Sequence, residues 1–89
     1  MSKFTPGPWA QGKTTPQNVS AGSALICRTF ARSRAGDEDK ANARLIAAAP
    51  DLLATLVDAH DIIDAIGQPE TAEVAARMRA VIAKAKGEA

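Results

Sequence analysis

Residues 41–56, ANARLIAAAPDLLATL, form the longest near-continuous apolar run of the chain, and a single proline divides it. Ala41, Leu45, Ala48, Ala49 and Leu52 share one face of an α-helix by their spacing. Alanine and leucine lose little side-chain freedom in a helix, which favours that state. Pro50 disfavours the α conformation at Ala49. One helix is therefore expected to end near Ala49, and a second to begin with proline at its first position. A single kinked helix is the alternative. A strand over residues 45–49 fails on its alanine content. Upstream, Gly36 breaks the chain and Asp37 offers a carboxylate cap. Glu38 and Asp39 place negative charge where the helix dipole is positive.

The second helix should run from Pro50 to about Ile66. Leu52, Leu53, Leu56, Val57, His60, Ile63 and Ile66 give it a broad apolar stripe, and Asp58, Asp61 and Asp64 its wet side. Gly67 is the expected stop, with Pro69 beyond it. A third helix should start near Glu70 and Thr71 and run to about Lys86. Val74, Met78, Val81, Ile82 and Ala85 form its stripe, and Arg77, Lys84 and Lys86 gather toward its C-terminal half. Residues 87–89 are expected to fray.

The first third reads differently. Thr5-Pro6-Gly7-Pro8 suits a turn, because two prolines lack donors and glycine is permissive. Trp9 follows at once, and its large apolar surface is expected to anchor this segment on the core. A short strand is expected near residues 9–11, then a polar, turn-rich connection from Gly12 to Gly22. The clearest strand is residues 24–31. Alternation puts Leu25 and Cys27 on one face and Ile26 and Phe30 on the other. The expected fold class is α+β, a short N-terminal antiparallel β-hairpin or small sheet packed on about three C-terminal α-helices. Residues 1–89 are expected to form a single domain, with a β/turn-rich segment over 1–36 and a helical segment over 37–89.

A chain of 89 residues buries a modest share of its surface. Its apolar content leans on alanine, which buries little area per residue, so a monomer's core would be thin. Self-association through Leu52, Leu56, Ile63 and Ile66, as a homodimer, is the expected remedy. Cys27 has no internal disulfide partner, which fits a reducing cytoplasm. No apolar run approaches a membrane span, and the N-terminus lacks a stretch suited to export.

Charge is unevenly spread. Residues 1–36 hold five bases and no acid, whereas residues 37–89 hold six bases and ten acids. The asymmetry permits an anionic partner for the first third, with Lys13, Arg28, Arg32 and Arg34 as the candidate partner-binding residues. No nucleic-acid motif accompanies them, and a solvated basic face explains them as well.

Residues 7–14, GPWAQGKT, match the phosphate-loop pattern G-x-x-x-x-G-K-[ST] letter for letter. That motif needs a buried strand before it and a helix directly after it. Only six residues precede Gly7, Pro8 removes an amide, and Pro16 blocks a following helix, so nucleotide hydrolysis is not expected. His60, with Asp61 and Asp64 nearby, is a conceivable metal or base pair. One histidine supplies too few ligands for a tetrahedral site, and a packing histidine is the plainer reading. Cys27 reads as a small hydrophobe in an apolar strand. Asn18-Val19-Ser20 has the glycosylation pattern without a secretion signal. No catalytic, cofactor-binding or metal residues are assigned, and the chain is expected not to be an enzyme.

Two segments carry a resemblance. FTPGPW at residues 4–9 and ANARLIAAAPDLL at residues 41–53 resemble a family of small proteins encoded by bacteriophages and prophages. That family pairs a TPGPW opening with an ANARLIAAAPELL helix start; Asp51 replaces the commoner glutamate. The resemblance implies a small cytoplasmic accessory protein in a bacterial host, with no catalytic residues to carry over. It suggests binding to a host protein or protein–RNA complex, including immune complexes such as CRISPR effectors. A nucleic-acid-binding accessory of phage replication or recombination, and an oligomeric sponge for a signalling nucleotide, are the alternatives.

Overall fold

The computed structural model describes residues 4–30 and 36–88. These fall into two compact units. One spans Thr5–Asp51; the other takes the described residues from Leu52 onward, together with Phe4.

The first unit is a three-stranded antiparallel sheet with a helix on it. Strands β1 (Ala10–Gln11), β2 (Asn18–Ala21) and β3 (Ala24–Arg28) lie in the order β1-β2-β3. Ala10 pairs with Ser20 and Gln11 with Val19. On the other side, Asn18 pairs with Arg28 and Val19 with Cys27, while Ser20 pairs with Leu25. The register shift leaves Ile26 as an extra residue, a β-bulge in β3. Gly22 and Ser23 close the β2–β3 hairpin. Gly22 takes φ 60 as the first of two loop residues, the position that a II′ turn reserves for glycine.

The central strand lies inside the stretch that sequence reading assigns to a turn-rich connection. Val19 is fully buried, yet it stands alone among polar neighbours, so no alternation marks it. Its burial comes from pairing on both sides, which is non-local information. The expected strand over residues 24–31 is shorter, ending at Arg28; Ala31 lies outside the described residues. Because Ile26 bulges, the expected two-face alternation does not hold: Ile26 is half-buried, whereas Phe30 is 83% exposed.

Helix α1 (Asp37–Ala47) covers β1 and β2. Two side chains from the sheet tie it down. The Gln11 amide donates to the Pro16 carbonyl at 2.6 Å and to the Lys40 carbonyl at 3.1 Å. The Thr29 hydroxyl lies 2.8 Å from the Asp39 carbonyl and 3.1 Å from that of Gln17. The buried face of α1 is centred on Ala43, with Ile46 and Ala47 half-buried beside it, while Leu45 is 65% exposed. The expected stripe through Ala41 and Leu45 is thus corrected by about half a turn, to the opposite face of the helix. Asp37 is not the cap: Gly36, at φ 76, precedes the helix with no side-chain capping bond, and Asp37, Glu38 and Asp39 form its acidic first turn.

α1 stops at Ala47, and α2 (Ala49–Ile66) begins two residues later with Pro50 in its first turn. The two-helix reading holds and the single kinked helix does not. In the second unit, α2 ends at Gly67, which takes φ 67. A 3-10 turn over Pro69–Thr71 then leads into α3 (Ala72–Lys86). Gly87 closes α3 at φ 76. The Glu88 amide donates to the Ala83 carbonyl at 2.8 Å and the Gly87 amide to that of Lys84 at 3.2 Å, the Schellman pattern. The C-terminus is therefore capped through Glu88 rather than frayed from Gly87. The architecture is α+β, a three-stranded sheet followed by three helices.

Candidate functional site

One end of the sheet gathers the features that point outward. β1 leaves there, β2 enters there, and β3 finishes there, since Asn18 pairs with Arg28. Beyond β3, the Thr29 amide still pairs with the Gln17 carbonyl at 2.8 Å, and its side chain turns inward under α1, 8% exposed. With Thr29 held inward, Phe30 emerges on the surface.

Phe30 stands between two open hollows, both inside the Thr5–Asp51 unit. The first, about 380 Å³, is lined by Cys27, Arg28, Asn42, Leu45 and Ile46 besides Phe30 and Thr29. The second, about 220 Å³, is lined by Gln17, Gly36, Asp39 and Lys40. Exposed Leu45 extends the apolar surface of the first hollow. In the second, Asp39 Oδ1 is buried and has no hydrogen-bond partner. A buried carboxylate oxygen without a donor is costly, and a ligand that supplies one recovers the loss.

The basic candidates distribute as follows. Lys13 is exposed in the β1–β2 loop, at the same end of the sheet as Arg28. Arg28 Nε donates to Asn18 Oδ1 at 3.2 Å, so its guanidinium is partly committed within the sheet. Arg32 and Arg34 lie outside the described residues. The Gly12-Lys-Thr segment is no phosphate cradle: the Gly12 amide is spent on the Asn18 carbonyl at 3.0 Å, and the chain enters β2, not a helix. A β-carbon on Gly12 would meet the Thr15 carbonyl oxygen at 2.6 Å, so glycine is there for a tight turn.

The histidine site also resolves into separate pieces. His60 Nδ1 lies 3.5 Å from Asp61 Oδ1, a long contact, and its side chain is only 15% exposed. Asp64 instead faces Arg79 of α3 at 3.7 Å. Among the described residues there is no group of three or more side chains able to hold a metal ion. Of the self-association candidates, Leu52 and Ile66 are exposed while Leu56 and Ile63 are half-buried.

Sequence reading missed the site's centre. Alternation places Phe30 on the strand face of Ile26 without marking it as an exposed tip, and residue type gives Asp39 only a role at the helix dipole. Only the place where β3 ends reveals Phe30, and only the tertiary fold orphans the Asp39 oxygen. No helix among the described residues is long and apolar enough to cross a membrane.

The chain matches, over residues 1–89, the model of a family described as Salmonella phage P22 protein Y8K6, and it belongs to that phage-encoded family. No curated protein and no solved structure matches it.

Proposed function

We propose that this member of the phage P22 Y8K6 family is a non-enzymatic accessory protein that binds a host protein complex and modulates or inhibits it, with Phe30 as the anchor. The observation that carries this reading is Phe30 itself, 83% exposed between two hollows. Keeping a phenylalanine in water forgoes roughly 1.5–3 kcal/mol of burial, which a partner's pocket can recover. Aromatic anchors surrounded by a polar rim are the usual centres of protein interfaces.

Charge decides between classes of partner. The unpaired acceptor beside Phe30 is a carboxylate, and Asp37 and Glu38 sit in the same helical turn. A phosphate backbone meets repulsion there, whereas a lysine or arginine of a protein surface supplies the missing donor. A counter-defence target, such as a host immune protein–RNA complex, fits a phage protein of this kind.

The test is capture from infected host lysate with the full-length tagged chain, followed by direct binding to the purified partner. One host complex should be retained by the wild type and lost with Phe30→Ala. Equal retention by Phe30→Ala would overturn the reading. So would binding dominated by DNA with a steep salt dependence, or by a free nucleotide.

A further inference from the structure

β3 is an edge strand in the order β1-β2-β3, and α1 lies over β1 and β2. The larger hollow opens beside it, with Cys27 and Arg28 of β3 on one wall and Asn42, Leu45 and Ile46 of α1 on the other. It is a groove between an open strand edge and a helix, and Phe30 also lines it.

The register fixes which backbone groups point out of that edge. The Thr29 amide bonds the Gln17 carbonyl at 2.8 Å, so these two form a hydrogen-bonded pair of the antiparallel ladder. The next pair, Arg28 with Asn18, is then a non-hydrogen-bonded one. Asn18 agrees, since its carbonyl accepts from the Gly12 amide at 3.0 Å, on the β1 side. The Arg28 amide and carbonyl consequently point away from β2, where no strand meets them among the described residues. Unpaired groups on an edge strand are a template for another extended backbone.

Side chains sort by the same alternation. Cys27 pairs with the fully buried Val19, and the Thr29 hydroxyl reaches the Asp39 carbonyl of α1, so both face the helix. Arg28 faces the other way and is held by Asn18 through Nε. Among the described residues no carboxylate forms an ion pair with its guanidinium.

We infer that an extended segment of the protein partner adds to β3 as a fourth strand, with an acidic residue opposite Arg28 and an apolar residue on either side of it. The inference rests on the reading of this end of the sheet as the partner-binding surface. The residue opposite Arg28 exchanges hydrogen bonds with its amide and carbonyl, and its carboxylate meets the guanidinium as a cross-strand neighbour. Its two neighbours point to the α1 side and enter the groove against Leu45 and Ile46. Main-chain bonds give such a complex its affinity, and pockets for alternate side chains give it specificity. A helix spends its amides and carbonyls within itself and satisfies neither group of Arg28.

Selection of a displayed library of random peptides, about twelve residues long, on the immobilised full-length chain tests this. Enriched peptides should share an apolar-acidic-apolar pattern. Synthetic copies should slow hydrogen exchange at the Arg28 amide of the wild type roughly tenfold or more. Arg28→Pro deletes only a donor outside the β2–β3 ladder, which an edge strand tolerates. It should weaken peptide binding roughly tenfold or more, whereas Arg28→Ala, which keeps the amide, should weaken it about two- to fivefold. The exchange measurement keeps the test valid should Arg28→Pro unfold. No enrichment, peptides that bind as helices, or an Arg28 amide that exchanges equally fast when bound would each overturn the inference. So would a dimer of the chain that Arg28→Pro dissociates, which would give the edge to a second copy. If Phe30→Ala retains the host complex while the peptides still need the Arg28 amide, the anchor reading fails and strand addition stands. If the complex needs Phe30 and the peptides ignore Arg28→Pro, strand addition alone fails.

Discussion

Gly7 lies against Pro50: a β-carbon built on Gly7 would stand 3.2 Å from the Pro50 Cβ and 3.6 Å from its Cγ. The TPGPW opening and the proline-divided helical run thus meet inside one unit, although more than forty residues separate them in sequence. The opening also folds on itself, since Trp9 Nε1 donates to the Thr5 carbonyl at 3.1 Å.

That proximity sets two opposing effects of a Gly7→Ala substitution against each other, and the stiff Pro50 ring decides between them. Gly7 does not take positive φ, so alanine would ordinarily stabilise by about 0.4–1 kcal/mol through the unfolded chain. Overpacking against Pro50 costs about 1–3 kcal/mol and wins. A net loss of about 1 kcal/mol is expected, lowering Tm by roughly 4–8 °C in a chain of this size. The loss should shrink when Pro50→Gly is already present, and additive behaviour in that double-mutant cycle would refute the contact.

Thr29 uses one hydroxyl proton between two carbonyls, those of Asp39 and Gln17. Thr29→Val keeps the shape and removes the donor, which should cost about 1 kcal/mol. Urea unfolding should show a lower midpoint with an unchanged slope. A variant at least as stable as wild type would mean that the hydroxyl adds nothing to the α1–sheet attachment.

Phe30→Ala separates binding from folding. With most of its surface in water, its removal should change stability by no more than about 0.5 kcal/mol. Affinity for the captured partner should fall at least tenfold, as for an interface hot spot. A large drop in thermal stability would show that the ring serves the fold instead.

Local punctuation was legible in the sequence; pairing was not. Pro50 and Gly67 act on their own backbone, so the break between α1 and α2 and the end of α2 follow from residue type. β2 escaped because Asn18, Ser20 and Ala21 carry no strand signal and Val19 is sheltered by strands elsewhere in the chain. The Ile26 bulge then defeated the alternation on which the faces of β3 were read, and with it the position of Phe30. Basic residues were visible as composition, but Arg28's commitment to Asn18 depends on register.

Lys13 completes a phosphate-loop pattern whose geometry is absent, because Gly12 turns the chain into β2. Purified protein should therefore hydrolyse neither ATP nor GTP. A phosphate-release assay that detects turnover in the wild type and loses it in Lys13→Ala would contradict this.

Ala43 and Leu45 reverse the roles that hydrophobicity alone would give them. Leu45 is 65% exposed, while Ala43 is fully buried where α1 covers the sheet. The small side chain sets how closely the helix approaches, and the bonds from Gln11 and Thr29 to the Lys40 and Asp39 carbonyls form only at that distance. Ala43→Leu adds volume where none is free and pushes those donors away from their acceptors. Overpacking costs about 1–3 kcal/mol, and the two strained bonds add about 1 kcal/mol each, so a loss of about 3–5 kcal/mol is expected. Leu45→Ala removes a side chain that is mostly in water already, and alanine is the better helix former, so its effect should stay within about 0.5 kcal/mol. Chemical denaturation of the two variants side by side decides the matter. If Leu45→Ala proves the more damaging, α1 meets the sheet through a different face.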